Sequence, residues 1–138
     1  MAFFFYDRTT QFSESDAAGI IHFSKIACYV EEAEHQFLRK AGFPVNLQDL
    51  NSCRWPRVNY KCSFSHPILP FQSIRITLSP IYVGKSSINW SWMIVDKVTG
   101  SAFCKGEMKT VCCKQEGARL EVCPLPEKLR KLLFTPGI

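Results

Sequence analysis

Asp16 stands in the stretch Ser13-Glu14-Ser15-Asp16-Ala17-Ala18-Gly19-Ile20-Ile21-His22-Phe23-Ser24, where a carboxylate is followed by small residues and then by the start of an apolar-periodic segment. The first amides of a helix have no acceptor inside the helix and point outward, so they bind an anion or polarise a carbonyl oxygen. A neighbouring Asp can then add to the carbonyl carbon, or take the proton from a water that does so. On residue types alone, a turn or capping role for Asp16 is the commoner one.

The elements that must position this stretch follow from two apolar periods. From Ser24 to Ala41, Ile26, Val30, Ala33, Phe37 and Ala41 keep helical spacing, with Ser24 placed to cap the start and Gly42 the end. The helix is about 27 Å long at roughly 1.5 Å per residue. Arg39 and Lys40 lie near its C-terminus, where the helix dipole favours cations. Elsewhere the period is two. Val58, Tyr60, Cys62 and Phe64 are expected on one face, with Arg57, Asn59, Lys61 and Ser63 on the other. Ile74, Ile76 and Leu78, then Ile88, Trp90, Trp92 and Ile94, repeat the alternation, and the two Trp are read as core or interface residues. Turn signals at Gly84-Lys85 and from Asp96 to Gly100 predict an antiparallel meander from Phe71 to Cys113. Phe3 to Phe12 supplies an earlier strand. Pro56 and Pro80 mark bulges or edges, and Pro126 with Leu129, Leu132 and Leu133 marks a short terminal helix. One long helix and a larger antiparallel sheet define an α+β domain spanning residues 1–138, in which the sheet wraps the helix's apolar face. Such a sheet keeps unpaired edges, which predicts a homodimer or homotetramer that continues it.

The 138 residues, 46% hydrophobic and 21% charged, suit one domain and exclude disordered and collagen-like chains. No run approaches the ~20 apolar residues of a membrane span. The opening Met1 to Tyr6 meets Asp7 and Arg8 too soon for a signal peptide, so a cytoplasmic protein without membrane partners is expected. The seven cysteines show no Cys-x-x-Cys spacing and are read as reduced, mostly buried thiols; for Cys112-Cys113, small residues filling a strand face are preferred to the alternative of a redox or metal role. Net charge is −3 over residues 1–50, +5 over 51–100 and +3 over 101–138. The basic part either attracts phosphates or is a solvated surface; without a basic run or a nucleic-acid motif, a small anionic ligand is preferred to DNA or RNA.

The stretch Asp16-Ala-Ala-Gly-Ile-Ile-His-Phe-Ser, followed by Tyr29-Val-Glu-Glu-Ala-Glu and Phe37-Leu-Arg-Lys-Ala-Gly, resembles the opening of hotdog-fold acyl-CoA thioesterases of the 4-hydroxybenzoyl-CoA thioesterase class. The likeness is concentrated in residues 12–42; beyond them only strand order and length agree. It implies a hotdog fold, thioester hydrolysis without cofactor or metal, an acyl-CoA substrate, and dimers with active sites at the subunit interface. Asp16 matches the family's catalytic carboxylate, as nucleophile or general base. Gly19 matches the glycine that lets the chain approach the substrate, and the Phe23 amide matches the donor to the thioester carbonyl. Many relatives have His or Tyr in place of Phe23 and Asn-Tyr in place of Lys25-Ile26. His22, one position before the family's His, is expected to line the pocket or be hydrogen-bonded, and Ser24 joins it as a pocket residue. His35 is expected to be exposed on the helix and His66 to lie in a loop. Glu31, at an acidic position in mid-helix, is the reserve carboxylate, with a solvated or interface-bonded role preferred. Arg54, Arg57, Lys61, Arg75, Lys85, Lys105 and Lys109 form the reservoir for coenzyme A phosphates.

Within that class the chain looks most like small bacterial and cyanobacterial enzymes that release 1,4-dihydroxy-2-naphthoate from its CoA ester in phylloquinone or menaquinone synthesis. Benzoyl-type and aliphatic acyl groups, acyl carrier protein esters, and a non-catalytic acyl-CoA-binding module are the alternatives.

Overall fold

A computed structural model describes residues 4–134; Phe3, at the start of the expected first strand, lies outside them. Strand β1 (Phe4–Thr9) leads through a 3-10 turn (Phe12–Glu14) to helix α1 (Phe23–Lys40). Strands β2 (Arg57–Phe64), β3 (Ser73–Val83), β4 (Ser87–Asp96) and β5 (Ala102–Val111) follow. A small hairpin of β6 (Cys113–Glu116) and β7 (Arg119–Val122) then precedes helix α2 (Glu127–Leu133). The main sheet has the order β1-β3-β4-β5-β2, antiparallel throughout, with α1 packed against it. This is the α+β hotdog arrangement, a long helix held in a curved sheet.

Alternation decides which face meets the helix. Ile74, Ile76, Leu78, Ile88, Trp90, Trp92 and Ile94 are all buried, and α1 answers with Ile26, Tyr29, Val30, Ala33, Phe37 and Leu38. Phe37 stands edge-on to Trp90 with ring centroids 5.3 Å apart. Burial of each large apolar side chain contributes about 1.5–3 kcal/mol, so this contact surface holds the layers together. Tyr60 stacks on Trp92, 5.7 Å between centroids, and the register places Gly106 opposite Cys62 and Trp92.

Several expectations change. The helix begins earlier: His22 rather than Ser24 is the cap, its Nδ1 accepting from Ser24 N at 3.2 Å. Gly42 closes the end as expected, at φ +90° just after Ala41, with its amide donating to Arg39 O at 3.1 Å and Phe43 N to Leu38 O at 2.8 Å. In β2 the register slips between Arg57 and Asn59, so one extra residue, Val58, is accommodated there. Such a bulge inverts the pleat: Arg57 reaches the helix side, and Val58 is exposed instead of buried. A second slip follows Pro80, as expected of a proline in a strand. Only Cys104, Cys112 and Cys113 are buried; Cys53, Cys62 and Cys123 are half-buried and Cys28 is exposed. His35 is half-buried rather than exposed. Among the described residues no helix is long and apolar enough to cross a membrane.

Candidate active site

The segment from Glu14 to His22 doubles back on itself. Asp16 N donates to Ile20 O at 2.9 Å, Gly19 N to Asp16 O at 3.0 Å, and His22 N to Glu14 O at 2.9 Å. Gly19 sits at φ +79°, a conformation that side chains disfavour and that this reversal requires. Asp16 is half-buried, and its Oδ1 accepts from Ala18 N at 2.8 Å, which fixes the carboxylate while leaving acceptor capacity.

The loop is anchored by charge. Arg8 on β1 donates to both oxygens of Glu14 and to both of Glu32 on α1, at 2.8–2.9 Å. Tyr29 of α1 donates to Glu14 Oε1 at 2.8 Å. Burial pushes the Glu14 carboxyl up, but the Gln11 amide, the Tyr29 hydroxyl and the Arg8 guanidinium outweigh it and hold the group below the usual carboxylate range. The Tyr29 phenol is pushed up, by burial first and then by Glu14. A second clip joins this loop to the one after β2: Ile21 N donates to Ile68 O at 2.8 Å, and buried Thr10 donates from Oγ1 to Leu69 O at 2.6 Å while accepting from Gln72 N.

Between the two loops lies a cavity of about 420 Å³. Asp16 and Phe23 are on its wall with Ile20, Ile21, Ile26, Phe64, Ser65, His66, Pro67, Ile68 and Cys104. Phe23 is the first residue of α1, and among the described residues its backbone N–H has no acceptor. A half-buried carboxylate and the first residue of α1 therefore stand on the wall of one apolar chamber; a carboxylate and a free helix-start amide are groups that can attack a carbonyl and hold its oxygen as charge develops.

The other expected residues fall in three groups. His22 and Ser24 bond to each other, Nδ1 to Oγ at 2.7 Å, at the helix cap and outside the cavity wall. Since Nδ1 accepts from the Ser24 amide, the neutral ring carries its proton on Nε2. Glu31 is exposed and reaches Arg57 at 3.3 Å, away from the cavity. Of the cations, Arg57 is bound to Glu34 at 2.7 Å, Arg75 to Asp7 at 2.7 Å, and Arg54 folds back on Ser52 O at 2.8 Å. Lys85 lies at the β3–β4 turn, its carbonyl accepting from Leu125 N. Lys61, Lys105 and Lys109 stand on neighbouring positions of β2 and β5 with Glu107 among them, and no described residue pairs with them.

His66 is on the cavity wall, although the sequence places it only in a loop. Its Nδ1 lies 3.3 Å from Ala102 O, a carbonyl that can only accept, so Nδ1 carries hydrogen. The available sequence signal was weak: a titratable ring before Pro67, between two strands.

The long helix inside a five-stranded antiparallel sheet is the hotdog arrangement, and family membership makes the protein a thioesterase. The chain belongs to the thioesterase-like superfamily, whose family profile matches residues 10–133. It is 27% identical over 107 residues to a 1,4-dihydroxy-2-naphthoyl-CoA hydrolase of Nostoc punctiforme, covering 74% of this chain and 71% of the relative. A solved gentisyl-coenzyme A thioesterase superposes with a TM-score of 0.79 and 27% identity, covering 91% of this chain and 98% of that one. The 1,4-dihydroxy-2-naphthoyl-CoA thioesterase of Synechocystis superposes with a TM-score of 0.82 over 96% of both chains; at 18% identity it supports the fold.

Proposed function

We propose that this thioesterase hydrolyses coenzyme A esters of hydroxylated aromatic acids, with 1,4-dihydroxy-2-naphthoyl-CoA as the leading substrate, which would put it on the route to phylloquinone or menaquinone. The observation that carries the reading is the shared wall: Asp16 and Phe23, the first residue of α1, line one apolar cavity, and the Phe23 amide has no acceptor among the described residues. The thioester oxygen accepts from the Phe23 N–H, and the positive end of α1 favours the charge that grows on it. Asp16 then acts in one of two ways. It adds to the carbonyl carbon, expelling the CoA thiolate and leaving an anhydride that water opens; or it takes a proton from the water that attacks. In both, the thiolate takes up a proton and the free acid departs. The substrate class rests on the two relatives of 27% identity, each named for a hydroxylated aromatic acyl-CoA, and on a chamber whose apolar walls carry a few polar groups, Ser65 and His66 among them. Lys61, Lys85, Lys105 and Lys109, which form no ion pair among the described residues, are the candidates for the coenzyme phosphates, and a homodimer would cover the open mouth.

The test is release of free thiol from a panel of aromatic and aliphatic CoA esters and matching acyl carrier protein esters, with wild type and Asp16→Asn. We expect turnover of the aromatic CoA esters and a loss of roughly 10²–10⁴-fold in the variant. A panel left intact, or a fully active variant, refutes the assignment; preference for a carrier-protein or aliphatic ester refutes the substrate.

A further inference from the structure

Away from the cavity, three cysteines from three segments converge. Cys53 comes from the loop before β2, Cys112 from the break between β5 and β6, and Cys123 from the residue after β7. Their Sγ atoms all lie within 4.8 Å of one another, and Cys112 and Cys123 are 3.5 Å apart. Backbone bonds hold each segment: Cys123 N donates to Cys112 O at 2.9 Å, Cys112 N to Ser86 O at 2.7 Å, and Arg54 exchanges bonds of 2.7 and 2.9 Å with Cys113. The separation in sequence explains why no motif betrayed them.

Packing alone accounts for small apolar thiols in a corner, but not for this exposure. Cys112 is sealed, while Cys53 and Cys123 are half-buried on the wall of a depression of about 480 Å³. The thiols thus have a floor, a mouth and fixed spacing. Sulfurs at the corners of a tetrahedral zinc site are about 3.8 Å apart, given a metal–sulfur bond of roughly 2.3 Å. The observed separations reach that value with side-chain movement of about 1 Å or less.

We propose that Cys53, Cys112 and Cys123 form a binding site for one thiophilic divalent cation of the zinc class, with the remaining position open to water through the depression. Each Sγ–H gives up its proton to solvent as its sulfur–metal bond forms, and no electron is transferred. Soft thiolate ligands select such ions over magnesium or calcium. By tying β6, β7 and the loop before β2 together, the ion would stabilise this end of the molecule rather than serve the thioester chemistry.

The test uses the reduced full-length chain under anaerobic conditions, titrated with Co²⁺ and Cd²⁺. The expected result is one ion per chain, a thiolate-to-metal charge-transfer band, proton release, and a rise in melting temperature. Cys53→Ser and Cys123→Ser change half-buried positions and should keep the fold by circular dichroism. Each should lose the band and at least about tenfold in affinity, since even indirect partners of a metal site cost roughly 10–100-fold when removed. Cys28→Ser, at an exposed thiol outside the cluster, should bind as wild type does. Absence of the band, or equal binding by wild type and either cluster variant, overturns the proposal, as does loss of binding in Cys28→Ser alone.

Discussion

At the residue scale, the sharpest question is whether a main-chain amide does the work assigned to Phe23, because side-chain replacement leaves that group intact. Proline removes it. Phe23 is the first helical residue, where proline is tolerated, and His22 before it has φ −62° and ψ 138°, the extended conformation that precedes proline readily. Phe23→Pro should therefore melt near wild type but lose roughly 10²–10³-fold in kcat, as for an oxyanion donor, whereas Phe23→Ala should keep most of kcat and change KM. Equal kcat in the two variants would remove the amide from the mechanism. Glu34 poses a second residue-level question, being 1% exposed in mid-helix. Burial pushes its carboxyl up to about 7, against the attraction of Arg57 at 2.7 Å; Thr110, Glu31 and His35 are its other polar neighbours. The folded protein then binds more protons than the unfolded chain between about pH 4.5 and 7. Stability falls as pH rises through that window and levels off above it, by a total on the order of 3 kcal/mol. Urea denaturation across this range should show the downward slope in wild type and lose it in Glu34→Gln, where the opposite, smaller contribution of His35, whose ring is held below its usual range by burial, remains. A flat wild-type profile would contradict the assignment.

At the scale of elements, the pairing of β2 with β5 carries Phe64 to the cavity, and it depends on one missing side chain. A Cβ on Gly106 would come within 1.8 Å of Lys61 O and 2.6 Å of Trp92 Cζ2. The strand backbone cannot yield there without breaking the ladder, so Gly106→Ala should cost about 2 kcal/mol or more and lower the melting temperature by several degrees. An unchanged melt would show that β2 can move away freely. The same strand shows where the sequence stops being legible. The alternation of Ile74, Ile76 and Leu78 against Ile88, Trp90, Trp92 and Ile94 could be read directly, because a face buried against a helix tolerates nothing else. In β2 the pattern misled: the bulge at Val58 shifts the count by one and turns Arg57 toward Glu34, and no local residue besides the neighbouring Pro56 announces it. The β6–β7 hairpin escaped because all four residues of β7 are exposed, so it has no buried face to alternate with. Asp16 and Phe23 lie close in sequence, so the resemblance to the family could name both as candidates, although on residue types alone Asp16 reads as a turn residue. His66 reaches the same cavity only through the Ile21–Ile68 contact, and such proximity leaves no trace in local spacing.

At the scale of the whole molecule, the uneven charge along the chain resolves into internal pairs and a remainder. Acidic groups of the first third take up basic partners, Glu14 and Glu32 with Arg8, Asp7 with Arg75, and Glu34 with Arg57, while Lys61, Lys105 and Lys109 are among the cations without an ion pair and stand on the far side of the sheet from the helix. The apolar remainder is more telling. Val58 and Phe64 on β2 are each 58% exposed and Phe23 is 70% exposed, and the last two stand on the wall of the cavity that holds Asp16. A bulge and a lysine are common means of blunting a strand edge, and β2 has both in Val58 and Lys61. They do not account for large apolar groups left around a reactive chamber, which a second subunit laid along this edge would cover. A stable interface of this kind removes about 800 Å² from each partner. We therefore expect sedimentation to show a dimer at micromolar concentration. Val58→Glu, which puts a charge on the edge without touching the cavity wall, should shift the protein to monomers and lower thiol release in the same proportion, with activity returning as protein concentration is raised. A wild-type monomer with full activity would mean that the chamber is complete within one chain, and that the exposed apolar rim meets the substrate alone.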